Sequence, residues 1–197
     1  MQTAKETNME VKTPAKGRPA WRKLSLNDME NLVRVANIIH PDLPESIEVF
    51  SERVKLFPEG CLALVANYGG REELCGYVIS HPIIRRRPPP LNSLLGEISP
   101  AADQYYIHDL AIMPNARGLG LAQVCMDEIS TIAARFSTTC LVSVYGSASF
   151  WGRFGFAPGG TDYVLEQKLR DYGDDAIYLE RSNEDWSKYE SRTKTET

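Results

Sequence analysis

The run Ile112-Met113-Pro114-Asn115-Ala116-Arg117-Gly118-Leu119-Gly120-Leu121-Ala122 constrains this chain more than any other feature. Before it, Tyr105 to Met113 reads as a strand. After it, Leu121, Val124, Cys125, Ile129, Ile132 and Phe136 recur at helical spacing. Thr139 to Tyr145 is strand-like again, and a strand–helix–strand passage makes its two strands parallel. The first turn of a helix carries unpaired N–H groups and the positive end of the dipole. Glycines let a backbone approach a pyrophosphate without interference from Cβ, so the turn is built to receive an anion. The GxxxxGK[ST] pattern of a P-loop is absent. A dinucleotide-binding fingerprint would place Gly or Ala where Gln123 stands, and an acidic residue about 20 positions on, where Thr138 to Val144 has none. A tight connection with no ligand is the plain alternative.

Around this centre the chain divides into a polar leader over 1–19, a folded unit over 20–181 and a polar tail over 182–197. Trp21 to Leu24 suggests a short strand. Met29, Leu32, Val33, Ala36 and Ile39 mark a helix that His40-Pro41 must end, and Val49, Phe50, Val54 and Phe57 mark a second. Cys61–Ala66 and Leu74–Ile79 form a hairpin across Asn67-Tyr68-Gly69-Gly70-Arg71, and a proline-rich connection over about 82–103 follows. Ser149 to Phe154 is a short helix, and weak strands are expected near Tyr163–Glu166 and Ala176–Glu180. The order β-α-α-β-β-β-α-β-α-β-β implies an α/β domain with a mixed sheet covered by helices.

A net charge of −4 and the lack of a basic stripe argue against a nucleic-acid binder. The one basic run, Arg85-Arg86-Arg87, reads either as a solvated loop or as a loop that meets acidic groups. Cys61, Cys75, Cys125 and Cys140 lie in apolar stretches without CxxC pairing, which suggests free core thiols. No signal-peptide core or apolar membrane-length window is present, so a soluble, cytoplasmic protein with no membrane partner is expected, as a monomer or weak homodimer.

Ile112-x-Pro114-x-x-Arg117-Gly118-x-Gly120-x-Ala122 resembles motif A of the GNAT acetyltransferases. Ala148-Ser149-Phe150-Trp151-Gly152-Arg153-Phe154-Gly155-Phe156 resembles their motif B. Glu59-Gly60-Cys61-Leu62, Ile107-His108-x-Leu110-Ala111 and Arg153-Phe154-Gly155-Phe156 are most similar to the serotonin (arylalkylamine) branch. The resemblance implies acetyl-CoA as cosubstrate, lying where the motif A and motif B strands splay. Backbone groups of Leu110, Ala111 and Ile112 would hold the pantetheine, and those of Arg117, Gly118, Leu119, Gly120, Leu121 and Ala122 the pyrophosphate. Ser149, Trp151 and Arg153 of motif B would border the same cleft.

Acetyl transfer to an amine needs a base, a polarised carbonyl and a proton for the departing thiolate. His108 matches a histidine of the serotonin acetyltransferase pattern and is the base candidate, with Asp109 as its rival. Successive strand residues face opposite sides unless a bulge intervenes, so the choice between them stays open. Trp151 stands where the family has a tyrosine donor, and an indole is no acid near neutral pH. Tyr145 or water would supply the proton instead. His81, Tyr105, Tyr106 and the Pro88–Leu95 loop would wall an acceptor pocket for a small-molecule amine. His40, His81, His108 and Asp109 have no diagnostic metal spacing and the chemistry needs none, so no metal is expected. A protein lysine or N-terminal acetyltransferase and a non-catalytic acyl-CoA-binding module are the alternatives.

Overall fold

The computed structural model describes residues 17–184; the expected leader up to residue 16 and the tail from residue 185 lie outside the described residues. Seven strands form one sheet in the order β1-β2-β3-β4-β5-β7-β6. They are β1 (Ala20–Lys23), β2 (Cys61–Tyr68), β3 (Arg71–Ile83), β4 (Gln104–Ile112), β5 (Thr138–Ser143), β6 (Ala157–Pro158) and β7 (Ile177–Ser182). Every neighbouring pair is antiparallel except β4 and β5, which are parallel. The helices are α1 (Met29–Ile39), α2 (Ile47–Leu56), α3 (Leu121–Ala133), α4 (Ala148–Gly152) and α5 (Tyr163–Leu169).

Strand alternation sorts the core onto the two faces of the sheet. Cys61, Ala63, Tyr77 and Ile79 pack with Met29, Leu32, Val35 and Ala36 of α1 and Phe50 and Val54 of α2. Leu62, Val78, Tyr105, Ile107 and Leu141 pack on the other face with Cys125, Met126 and Ile129 of α3 and Trp151 of α4. The four cysteines are free and buried. The β2–β3 hairpin turns on Gly69 and Gly70, both at positive φ, with Asn67 Oδ1 accepting the Gly70 N–H at 3.1 Å.

The structure corrects the strand expected at Tyr163–Glu166, which is the first part of α5. Asp162 caps this helix by accepting the Leu165 N–H at 2.9 Å, and of the four residues only Leu165 is buried. A local cap therefore outweighs the weak alternation of the segment. The basic run meets acidic groups: Arg85 pairs with Glu180 at 2.6 Å and Arg87 with Asp162 at 2.9 Å. At the C-terminal end Asn183 belongs to the fold. Its Nδ2 donates to the Ala133 and Phe136 carbonyls and its Oδ1 accepts from Thr139 Oγ1. Among the described residues no helix is long and apolar enough to cross a membrane.

Candidate active site

The parallel pair β4–β5 is joined only at Tyr105↔Thr139 and Tyr106↔Cys140. Beyond those two pairs the strands diverge, and the β5-facing edge of β4 is left without a strand over 107–112. A cleft of about 840 Å³ opens at this divergence. Its floor is β4, one wall is the turn and the start of α3, and the other is the end of β5 with α4.

At the anion end, Gly118 and Gly120 have φ of +78° and +74°, and Gly120 is the residue before the first turn of α3. A Cβ built at either position meets no heavy atom within 4 Å, so the turn lies open on its outer side. Trp21 Nε1 donates to the Leu121 carbonyl at 2.8 Å and ties the start of α3 to β1. Arg117 folds back so that its Nε donates to the Ile112 carbonyl at 2.8 Å. An open left-handed turn leading into a helix N-terminus fits a pyrophosphate, because first-turn N–H groups lack helical partners and no side chain crowds either glycine.

Of the residues expected to hold the cofactor, Leu110, Ile112, Arg117, Gly118, Gly120, Leu121, Ala122, Trp151 and Arg153 line the cleft. Ala111 does not; it is buried on the opposite face with the α1 core. Leu119 and Ser149 are exposed outside the cleft lining.

At the other end, β4 carries a bulge. Ile79 faces Asp109 and Ser80 faces Ile107, which leaves His108 as the extra residue. A bulge re-aims side chains, and here both His108 and Asp109 reach the cleft although they are neighbours in sequence. Each meets a partner from the α1–α2 connection. His108 Nε2 lies 2.7 Å from Glu45 Oε2, and His40 Nε2 lies 3.0 Å from Asp109 Oδ1. The other Asp109 oxygen accepts a short hydrogen bond from the Tyr77 hydroxyl. Both imidazoles keep Nδ1 without a hydrogen-bond partner.

Burial would raise Glu45, but the charge and hydrogen bond of His108 and the Asn92 N–H outweigh it and hold the carboxyl below its usual value. Asp109 is likewise pushed up by burial and brought below its usual value by His40, Tyr77 and His108. His40 responds in the opposite sense. Burial lowers it, yet the charge and hydrogen bond of Asp109, with the charge of Glu45, leave it raised. The cleft thus contains two carboxylate–imidazole pairs.

Tyr145 also lines the cleft, at positive φ (53°), and its hydroxyl accepts the Asp42 N–H at 3.3 Å. Trp151 is buried among Phe150, Phe154 and Phe156.

His81, Tyr105 and Tyr106, expected to wall the acceptor pocket, do not line the cleft: all three are fully buried. Tyr105 shares a hydrogen bond with Ser80 Oγ at 2.6 Å, while His81 and Tyr106 pack behind the His108 ring. Burial and the charge of His108 push the His81 imidazole down to about 3, so it is a neutral packing group. Among the described residues no three His, Cys, Asp or Glu side chains converge as metal ligands. Leu43, Glu45 and Leu91 line the cleft at its His108 end. Sequence reasoning missed Glu45 because it sits in a proline-rich connection, 63 positions from His108.

A family profile described as the Acetyltransferase (GNAT) family matches residues 26–156, about two-thirds of the chain. The chain belongs to the GNAT acetyltransferase family. This GNAT protein is an acyltransferase and acetyl-CoA is its cosubstrate. Among solved structures it is similar to Ard1 from Thermoplasma volcanium, with 16% identity and TM-score 0.61, covering 84% of this chain and 97% of that one. It is similar to a GphF GNAT-like decarboxylase in complex with isobutyryl-CoA, with 16% identity and TM-score 0.62, covering 83% and 99%. It is also similar to Arabidopsis thaliana Naa50 in complex with the bisubstrate analogue CoA-Ac-MVNAL, with 12% identity and TM-score 0.58, covering 84% and 99%. At these identities the likeness is one of fold. A comparison of the sequence with curated proteins found no significant match.

Proposed function

We propose that this GNAT enzyme transfers the acetyl group to the primary amine of a small molecule, arylalkylamine- or polyamine-like, by direct attack within a ternary complex. The observation that carries the reading is the pair Glu45–His108 at the β4 bulge, beside the point where the cofactor cleft opens. Glu45 accepts from Nε2–H of His108, the arrangement of a carboxylate-oriented imidazole base. Two half-buried carboxylates, Glu45 and Asp109, favour a cationic acceptor.

The small size of the acceptor is supported by how the segment after β3 is tied down. Glu45 Oε1 accepts the Asn92 N–H, Glu52 accepts the Leu95 and Gly96 N–H groups, and the buried Arg53 donates to the Ser93 carbonyl. Leu91, beside the segment these bonds fix, lines the cleft together with Leu43. A second reading, acetylation of peptide N-termini or lysines, is favoured by the fold likeness to Naa50 with its peptide-bearing analogue.

Thiol release from acetyl-CoA, measured over a panel of arylalkylamines, polyamines and short peptides, separates the two. Small amines should show higher kcat/KM than any peptide. A peptide turned over faster than every small amine overturns the acceptor class, and no thiol release with any of them overturns the reading altogether.

A further inference from the structure

The β3–β4 connection contains three consecutive prolines, Pro88 to Pro90, whose ring fixes φ and whose only backbone polar group is the carbonyl. Two of those carbonyls are taken from the α5 side. Lys168 Nζ donates to Pro88 at 2.6 Å, and the buried Tyr172 hydroxyl donates to Pro89 at 2.8 Å. Arg87 adds an ion pair with Asp162 at 2.9 Å. Three residues after Pro89 the chain is tied to the α1–α2 side instead. Asn92, at φ 52°, donates its N–H to Glu45 Oε1 at 3.0 Å and accepts the Ser46 N–H on Oδ1 at 2.8 Å. Arg53 Nη2 donates to the Ser93 carbonyl at 2.7 Å. The prolines therefore form a strap from α5 to the α1–α2 connection. Leu91 lies between its two sets of anchors, half-buried, and lines the cleft with Leu43 and Tyr172.

We propose that Leu91 sets the length of the acceptor, ending the space open to the apolar tail of a primary amine whose nitrogen lies by Glu45 and Asp109. The proposal rests on the small-amine reading of the cleft and deepens it by naming the residue that selects among such amines. With the pyrophosphate at the glycine turn, the acyl end of acetyl-CoA points along β4 toward the bulge. The acceptor then meets it at the His108 end. An ammonium there finds two carboxylates, and the tail behind it meets Leu43, Leu91 and the ring of Tyr172, which offer apolar contact.

Leu91 can act as a stop because the strap is fixed on both sides of it. Displacing it would break the bond to Pro89 or those to Asn92. A polar group left unpaired in that way costs as much as, or more than, burying one further methylene returns. Leu94, three residues on, is a control within the same segment: it is 61% exposed and lies outside the cleft lining.

A series of straight-chain primary amines, lengthened one carbon at a time, tests this by thiol release from acetyl-CoA. In the wild type, kcat/KM should rise with length and then drop by about 10-fold or more at the first amine that meets Leu91. Leu91→Ala should move that drop to amines longer by about two to three carbons. Leu91→Phe should move it to shorter ones, and Leu94→Ala should leave it in place. An acetyl-CoA-induced rise in melting temperature, the same in all four proteins, reports that each is folded and binds its cosubstrate. Calorimetric binding of the same amines in the presence of coenzyme A should show the same cut-off. Absence of turnover with that cut-off retained in binding overturns the acyl-transfer reading and upholds this one. A cut-off unchanged in Leu91→Ala, or moved equally by Leu94→Ala, overturns the proposal and leaves a small-amine acceptor in place. So does a wild type with no cut-off in either measurement.

Discussion

At the scale of single residues, the His108 end of the cleft is organised by contacts that cross long stretches of chain. His108 and Asp109 were legible as candidates because a family motif points to them and a bulge lets neighbours share a face. Glu45 was not legible. No periodicity marks it, and its role exists only once the α1–α2 connection is folded over β4. Arg53 was hidden for a related reason: it sits on the apolar stripe of α2 and is buried by pairing with Glu52 and the Ser93 carbonyl. If Glu45 acts by orienting His108, its effect must pass through that ring. His108→Ala should cost about 10²–10⁴ in kcat/KM, the usual contribution of a general base. Glu45→Gln should cost less, and the double variant no more than His108→Ala alone, since removing the ring also removes what Glu45 holds. Losses that simply multiply in the double variant would assign Glu45 to the substrate rather than to His108.

At the scale of elements, the β4–turn–α3 unit was the most readable part of the chain, because three independent signals coincide there. A strand ends, two glycines take up positive φ, and a helical period begins. The α5 segment was misread because four residues of apparent alternation cannot be told from one helical turn without the Asp162 cap. The turn also provides a controlled experiment. Gly120→Val and Gly70→Val both place a side chain at a left-handed position where a built Cβ meets no heavy atom within 4 Å. Each should lose stability on the order of 1–2 kcal/mol for backbone conformation. Only Gly120→Val should lose acetyl-CoA binding, because only there does the side chain enter the space for phosphate. Equal loss of binding in both, read by calorimetry on folded protein, would assign the effect to general strain and sink the phosphate turn.

At the scale of the molecule, the sheet is two blocks sharing a narrow seam. β1 to β4 with α1 and α2 form one and β5 to β7 with α4 and α5 the other, while α3 packs across both. Strand pairing across the seam stops after Tyr106 and Cys140, and side-chain packing of Ile107 and Val78 against Met126, Leu141 and Trp151 continues it. The order of elements up to α4 was readable from periodicity; the splay was expected only through the family resemblance, because strand ends carry no signal of where pairing stops. A ligand lodged in the splay touches both blocks, so binding must stabilise the native state relative to the unfolded chain, which has no such cleft. At a free concentration of 100 times its Kd, acetyl-CoA should add about 2.7 kcal/mol. For a domain of this size that raises the melting temperature by about 5–11 °C. Amide hydrogen exchange should slow at the same time along 107–112, the edge of β4 that has no strand beside it. A melting temperature indifferent to acetyl-CoA, or protection appearing elsewhere while 107–112 exchanges as before, would show that the cosubstrate does not lie in this cleft.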